Sequence, residues 1–127
     1  MQFEKLDVWK RASRLACDIY KVTKDCKDYG FKDQVTRSAV SAPSNIAEGI
    51  ERESVNYESK FLYYAKGSAG ELVTQLYIGI EIGFIEKEHG LKLVSEAKEI
   101  AAIIASLIKR RKGFVKEREF IYGVGSS

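Results

Sequence analysis

Arg37-Ser-Ala-Val-Ser-Ala-Pro-Ser-Asn-Ile-Ala-Glu-Gly49 decides the fold, together with Gly67-Ser-Ala-Gly-Glu-Leu72 one helix later. Both segments are rich in small residues, and both lie inside patterns of helical period. In the first, Phe31, Val35, Ala39, Ala42 and Ile46 fall on one stripe. Pro43 interrupts it. A proline inside a helix removes a backbone donor and crowds the preceding turn. The stripe nevertheless continues in register to Ile46 and Ile50, so a kink is expected rather than a stop. This second helix is placed from about Phe31 to Glu48. Gly49 reads as its terminator or as a point of close approach.

Working outward, the first helix spans about Asp7 to Asp25, with Asp7 as N-cap. Val8, Ala12, Leu15, Ala16, Ile19 and Thr23 form its apolar face. The third helix begins after Ser54 and runs to about Ile82. One face carries Tyr57, Phe61, Ala65, Ser68, Leu72, Leu76, Gly79 and Gly83. A second carries Tyr63, Gly67, Gly70, Thr74 and Tyr77, small in the middle and aromatic at both ends. Glycines inside a helix cost about 1 kcal/mol each against alanine, which usually reflects something packed against the backbone. The fourth helix starts near Glu88 or Leu91 and ends at Lys112. Its wide apolar face runs from Leu93 to Ile108.

Four amphipathic helices with short links imply an all-α, antiparallel up-down-up-down four-helix bundle. The bundle domain is placed at residues 1–113, with a C-terminal tail at 114–127 whose end is disordered. The chain has 127 residues, enough for one domain with its own core. No apolar run approaches the ~20 residues that span a bilayer. Cys17 and Cys26 are too few and too close for a disulfide framework. Cys17 reads as a small buried hydrophobe and Cys26 as an exposed thiol, which fits a reducing cytoplasm.

Net charge is only +3, so the distribution matters more than the sum. Lys109, Arg110, Arg111 and Lys112 form a basic cluster. Lys10, Arg11 and Arg14 form a smaller one. In an up-down-up-down bundle the start of the first helix meets the end of the fourth, so these clusters are expected to converge. They are the candidate nucleic-acid-binding residues; the alternative is a solvated helix end favoured by the helix dipole. Tyr63 and Tyr77 are candidate base-stacking residues or interface anchors. Gly67 and Gly70, with Thr74, suggest close helix packing, within the bundle or between subunits; the alternative is a ligand-facing groove. Arg37, Asn45 and Glu48, with Glu71 and Gln75, suggest either an internal hydrogen-bond set or a polar contact zone.

Catalytic signatures are missing from the sequence. His89 is the sole histidine. No paired Glu-x-x-His, phosphate loop, zinc spacing or nucleophile elbow occurs. No enzyme activity, metal or cofactor is therefore expected.

The blocks Phe3-Glu-Lys-Leu-Asp-Val-Trp-Lys-Arg-Ala12, Gln34-Val-Thr-Arg37, Ser44-Asn-Ile-Ala-Glu-Gly49 and Gly67-Ser-Ala-Gly-Glu-Leu72 resemble the signature of a bacterial family, the 23S rRNA intervening-sequence proteins. One departure is Thr36, where many members carry a second basic residue beside Arg37. The resemblance implies a left-handed bundle that assembles into a homo-oligomeric ring, typically a pentamer. It implies Arg37, Asn45, Glu48, Gly49, Gly67, Gly70 and Glu71 as the polar and packing residues of the family motifs. It further implies a protein associated with structured RNA. The alternative is an adaptor that docks a protein partner, as the related accessory protein of diversity-generating retroelements docks a reverse transcriptase.

Overall fold

A computed structural model describes residues 1–122, with side chains through Arg111. After a short 3-10 turn at Phe3–Lys5, four helices follow: α1 (Asp7–Val22), α2 (Tyr29–Ile50), α3 (Val55–Glu81) and α4 (Lys87–Tyr122). The described residues contain no strand. α1 packs on α2 and α4, and α3 packs on α2 and α4, so each helix has two neighbours around one core. Ile19, Ile46, Leu62, Leu72, Leu76, Ile100 and Ile104 are fully enclosed there.

The helix ends follow local chemistry. Asp7 is the first helical residue of α1, and the extended residue before it, Leu6, holds the cap position without a side-chain bond. The cap role expected of Asp7 is therefore not realised. α1 ends at Val22, short of Asp25. Thr23 is completely buried and donates its hydroxyl to the Ile19 carbonyl (2.7 Å). α2 starts two residues earlier than expected because the Asp28 carboxylate accepts the Phe31 amide (3.0 Å). Helix α2 continues unbroken through the buried Pro43.

α3 ends in a Schellman arrangement. Gly83 sits at φ +84°, its amide donates to the Ile80 carbonyl (3.2 Å), and the Phe84 amide donates to the Gly79 carbonyl (2.8 Å). At the start of α4 the Glu86 carboxylate accepts the amides of His89 (2.7 Å) and Glu88 (3.0 Å). Those two bonds hold the carboxyl below the usual glutamate range. α4 continues past Gly113 to Tyr122. One glycine costs a helix only about 1 kcal/mol and did not end this one. The disordered end expected after it lies outside the described residues.

Two sequence readings change, and the two alternatives for Gly49 reduce to one. Cys17 is exposed and Cys26 half-buried, the reverse of the expected order. Gly49 lies inside α2 and is buried. A Cβ there would sit 3.0 Å from the Glu58 carbonyl oxygen and 3.2 Å from Phe61 Cβ, so it marks a close approach rather than a stop. The core face of α3 is Leu62, Ala65, Ala69, Leu72, Leu76 and Gly79. Tyr57 is exposed instead of buried, and Phe61 and Ser68 are half-buried at its edge. Four-residue steps rotate about 40° each at helical pitch, so the step back from Ala65 through Phe61 to Tyr57 swings off the core. The alternating three- and four-residue steps of Leu62 to Gly79 stay on it.

Candidate nucleic-acid interface

The family-motif residues build a polar seam between α2 and α3. Ser41 and Ser68 share a hydrogen bond between their hydroxyls (2.8 Å). Asn45 Nδ2 donates to the Ser41 carbonyl (2.9 Å) and to its hydroxyl (3.0 Å). Ser38 donates to Glu71 (3.4 Å). Ser68 pairs with Ser41, and Glu71, one turn later, pairs with Ser38, one turn earlier. The two helices are therefore antiparallel in one fixed register. Of the two readings offered for Asn45 and Glu71, the internal set matches this geometry, because their polar atoms are turned on neighbouring helix atoms. Arg37 and Glu48 stand apart from it. Each makes an exposed ion pair four residues away, Arg37 with Asp33 within α2 (2.7 Å) and Glu48 with Arg52 just past its end. Such pairs contribute about 0.3–0.5 kcal/mol.

The basic residues of the sequence reading separate. Arg11 Nε and Nη2 grip both oxygens of Glu96 (2.9 and 2.5 Å), and Nη2 also reaches Glu99 (3.0 Å). The hydrogen bond from Arg11 depresses the Glu96 carboxyl, and the same bond raises the guanidinium further. Arg11 is thus a clasp between α1 and α4. Lys109 begins ten residues beyond Glu99, about 15 Å along α4, so the expected convergence with Arg11 does not occur. Arg111 is drawn inward. Its Nε lies 2.8 Å from Oε1 of Glu58, a buried carboxylate on α3, in an ion pair without hydrogen-bond alignment. Burial pushes the Glu58 carboxyl up, and Arg111 pulls it partly back. Lys10, Arg14, Lys109 and Arg110 are exposed. The Lys112 side chain lies outside the described residues.

A different cationic face emerges on α3 and α4. Tyr63, Lys66, Ala105, Ile108 and Lys109 line a cavity of about 170 Å³ between these helices. Further along, Lys98 stands over the ring of Tyr77 with Nζ 5.4 Å from its centroid. Between them lie Gly67 and Gly70, where an added Cβ would meet nothing within 4 Å. That openness excludes packing within the bundle as their role. Thr74 turns its hydroxyl back to the Gly70 carbonyl (3.2 Å).

Most carboxylates near this face are engaged elsewhere, while Glu81, one turn beyond Tyr77, is exposed at its end. Glu71 is the one acid between Ser59 and Ile80 on α3, and it faces Ser38 of α2. Residues 100–111 of α4 contain no acid, and Glu96 and Glu99 face Arg11 of α1. Lys66, Lys98 and Lys109 form no ion pair with any described residue. The sequence reading missed Lys66 and Lys98 as site candidates because lone lysines on a helix look like ordinary solvated surface. Among the described residues no cluster of three or more His, Cys, Asp or Glu is arranged to hold a metal. No helix among them is long and apolar enough to cross a membrane.

Comparison with curated proteins finds no match. Among solved structures, the chain is similar to a protein of unknown function from the S23 ribosomal protein family of Bacteroides thetaiotaomicron VPI-5482. The two share 25% identity and a TM-score of 0.76 over 80% of this chain and 98% of that one. The sequence model of the 23S rRNA-intervening sequence protein matches residues 4–106, which span α1 to α3 and the first part of α4 and include the seam, Lys66 and Lys98 but not Lys109. The chain belongs to the 23S rRNA-intervening sequence protein family.

Proposed function

We propose that this protein is a non-enzymatic, self-associating RNA-binding bundle whose phosphate contacts centre on α3 and α4. One observation carries the reading: Lys66, Lys98 and Lys109 share a face and form no ion pair with any described residue, while Glu71, Glu96 and Glu99 are engaged on α2 and α1. Unpaired ammonium groups are what phosphate contact needs, because each contact releases a counterion. Lys109 is the member common to this face and the basic cluster of the sequence. Lys10 and Arg14 on α1 and Arg110 on α4 add diffuse attraction from their exposed positions. The family name supports RNA as the nucleic acid.

The test is fluorescence anisotropy with a structured ribosomal-RNA fragment across a salt series. Wild type should show steep salt dependence. The triple variant Lys66→Gln/Lys98→Gln/Lys109→Gln should lower the log–log slope by about 2–3, since each lost phosphate contact removes 0.7–0.9. Binding that ignores salt would favour the protein-adaptor reading, and no binding at low salt would end the RNA reading for that fragment.

Self-association draws on a different surface. Val40 on α2 and Tyr64, Ile78 and Ile82 on the outer ridge of α3 are apolar or aromatic and 40–54% exposed. These side chains supply a contact for the ring, five-membered by the family resemblance. Ile78→Glu/Ile82→Glu should yield monomers of unchanged helicity by light scattering and circular dichroism. A wild type that is already monomeric at micromolar concentration would refute the ring.

A further inference from the structure

We propose that the α3/α4 face takes an unpaired RNA strand, with bases stacked on Tyr63 and Tyr77, rather than a duplex. The inference rests on the RNA reading above and narrows it. The two tyrosines are 44% and 43% exposed, and they stand fourteen residues apart on α3, about 21 Å along the helix. At 3.4 Å per stacked nucleotide, that span matches on the order of six nucleotides.

The ground between them is low. Gly67 and Gly70 present bare backbone, and the Thr74 hydroxyl is occupied by the Gly70 carbonyl. Few polar groups there compete for a base edge, and no side chain blocks a strand lying close to the helix. The cations sit beside the rings rather than along the middle. Lys66 and Lys109 border the Tyr63 cavity, and Lys98 stands over Tyr77. Each tyrosine thus has at least one lysine beside it to meet the phosphates of a stacked strand.

A duplex fits this face poorly. Its bases are already stacked on one another, and it offers only shape, phosphates and 2′-hydroxyls. Three lysines are few for a ligand whose affinity comes from counting phosphates. An unpaired strand gains stacking on each tyrosine in addition to those contacts. The three cations are lysines, without the guanidinium fork that reads guanine, so recognition should tolerate sequence.

The experiment compares a hairpin with a large unpaired loop, a single-stranded pyrimidine oligomer and a blunt duplex of equal charge, all by anisotropy at fixed salt. The loop and the single strand should bind more tightly than the duplex. Tyr63→Leu and Tyr77→Leu should each weaken the unpaired ligands by about 5- to 100-fold and leave the duplex unchanged, while Tyr→Phe at either site retains binding. A photoreactive uridine in the loop should crosslink to the peptides holding Tyr63 or Tyr77, a result that stands even if a leucine variant folds badly. Equal binding of duplex and loop, with leucine variants unaffected and crosslinks confined to the peptides holding Lys10 or Arg110, overturns the stacking proposal and leaves RNA binding intact. Failure of every RNA to bind at low salt removes both.

Discussion

Gly79→Leu should destabilise the protein by about 3 kcal/mol and lower its melting temperature by on the order of 10 °C. Gly79 of α3 faces Phe31 of α2 and Ile85 of the link to α4 without room for a side chain. A Cβ at Gly79 would lie 2.6 Å from Phe31 Cζ and 2.9 Å from Ile85 Cδ1. A Cβ at Gly90 would lie 2.7 Å from Ile80 Cγ1. Overpacking a filled core costs roughly 1–3 kcal/mol for added methylenes, and a leucine adds several. The Phe31 ring has little space to retreat, since it rests on Phe84 at 5.2 Å between centroids. Gly70→Leu makes the contrast. Its Cβ would enter open space, so the isolated subunit should lose nothing and gain up to about 1 kcal/mol of helix propensity. Thermal denaturation of both variants decides the matter. Equal melting points would mean that Phe31 and Ile85 do not crowd α3 at Gly79.

Arg111→Gln should leave stability near wild type at about pH 5 and reduce it by about 1–3 kcal/mol at about pH 8. Burial raises the Glu58 carboxyl above the ordinary glutamate value of 4.5, and Arg111 opposes the rise. A carboxyl whose folded pKa is raised binds its proton more tightly in the native state. Its stabilising contribution is full below the unfolded pKa and is lost as pH climbs through the folded one. Removing Arg111 lifts the folded pKa further, which widens the window and deepens the loss above it. Glu58→Gln removes the titration, so that variant should match or exceed wild type at about pH 8. The double variant should recover most of what Arg111→Gln loses. Urea denaturation of the four proteins at both pH values provides the check. A loss from Arg111→Gln that is the same at both would show that Arg111 acts by packing and not by charge.

The ease with which each element was read from sequence tracks how local its cause is. Val8 to Ile19 and Leu93 to Ile108 follow helical period closely, and those residues line the core. The α3 stripe was harder. Tyr57 and Phe61 are large and apolar and extend a plausible row, while the true row continues through Leu62 and Ala69. Periodicity alone does not choose between two apolar rows 60–80° apart. Pro43 was legible as tolerated, because the stripe continued beyond it. Gly49, Gly79 and Gly90 stand at close crossings while Gly67 and Gly70 face open space, a distinction that only the neighbouring helix can make.

The candidate site shows the same limit more sharply. Runs such as Lys109 to Lys112 draw attention in a sequence, yet Arg111 is spent on Glu58 and Arg11 on Glu96 and Glu99. Lys66 and Lys98 matter only because packing points their acidic neighbours elsewhere. No one-dimensional pattern records which helix a glutamate will face. The tyrosines were legible as candidates, since the glycines between them broke the helical norm.

The Ser38–Glu71 and Ser41–Ser68 pairs have a mechanical consequence. Sliding α2 past α3 by a turn would unmake both pairs at once and leave Asn45 to hold Ser41 alone. The two helices therefore behave as one stiff beam. α4 packs along α3 as α2 does, is tied to it at one end by Arg111 and Glu58, and is joined to α1 through Arg11. The lysine face, which α3 and α4 share, therefore sits on a fixed platform. A strand lying across both helices would meet a surface whose spacing is set before it arrives.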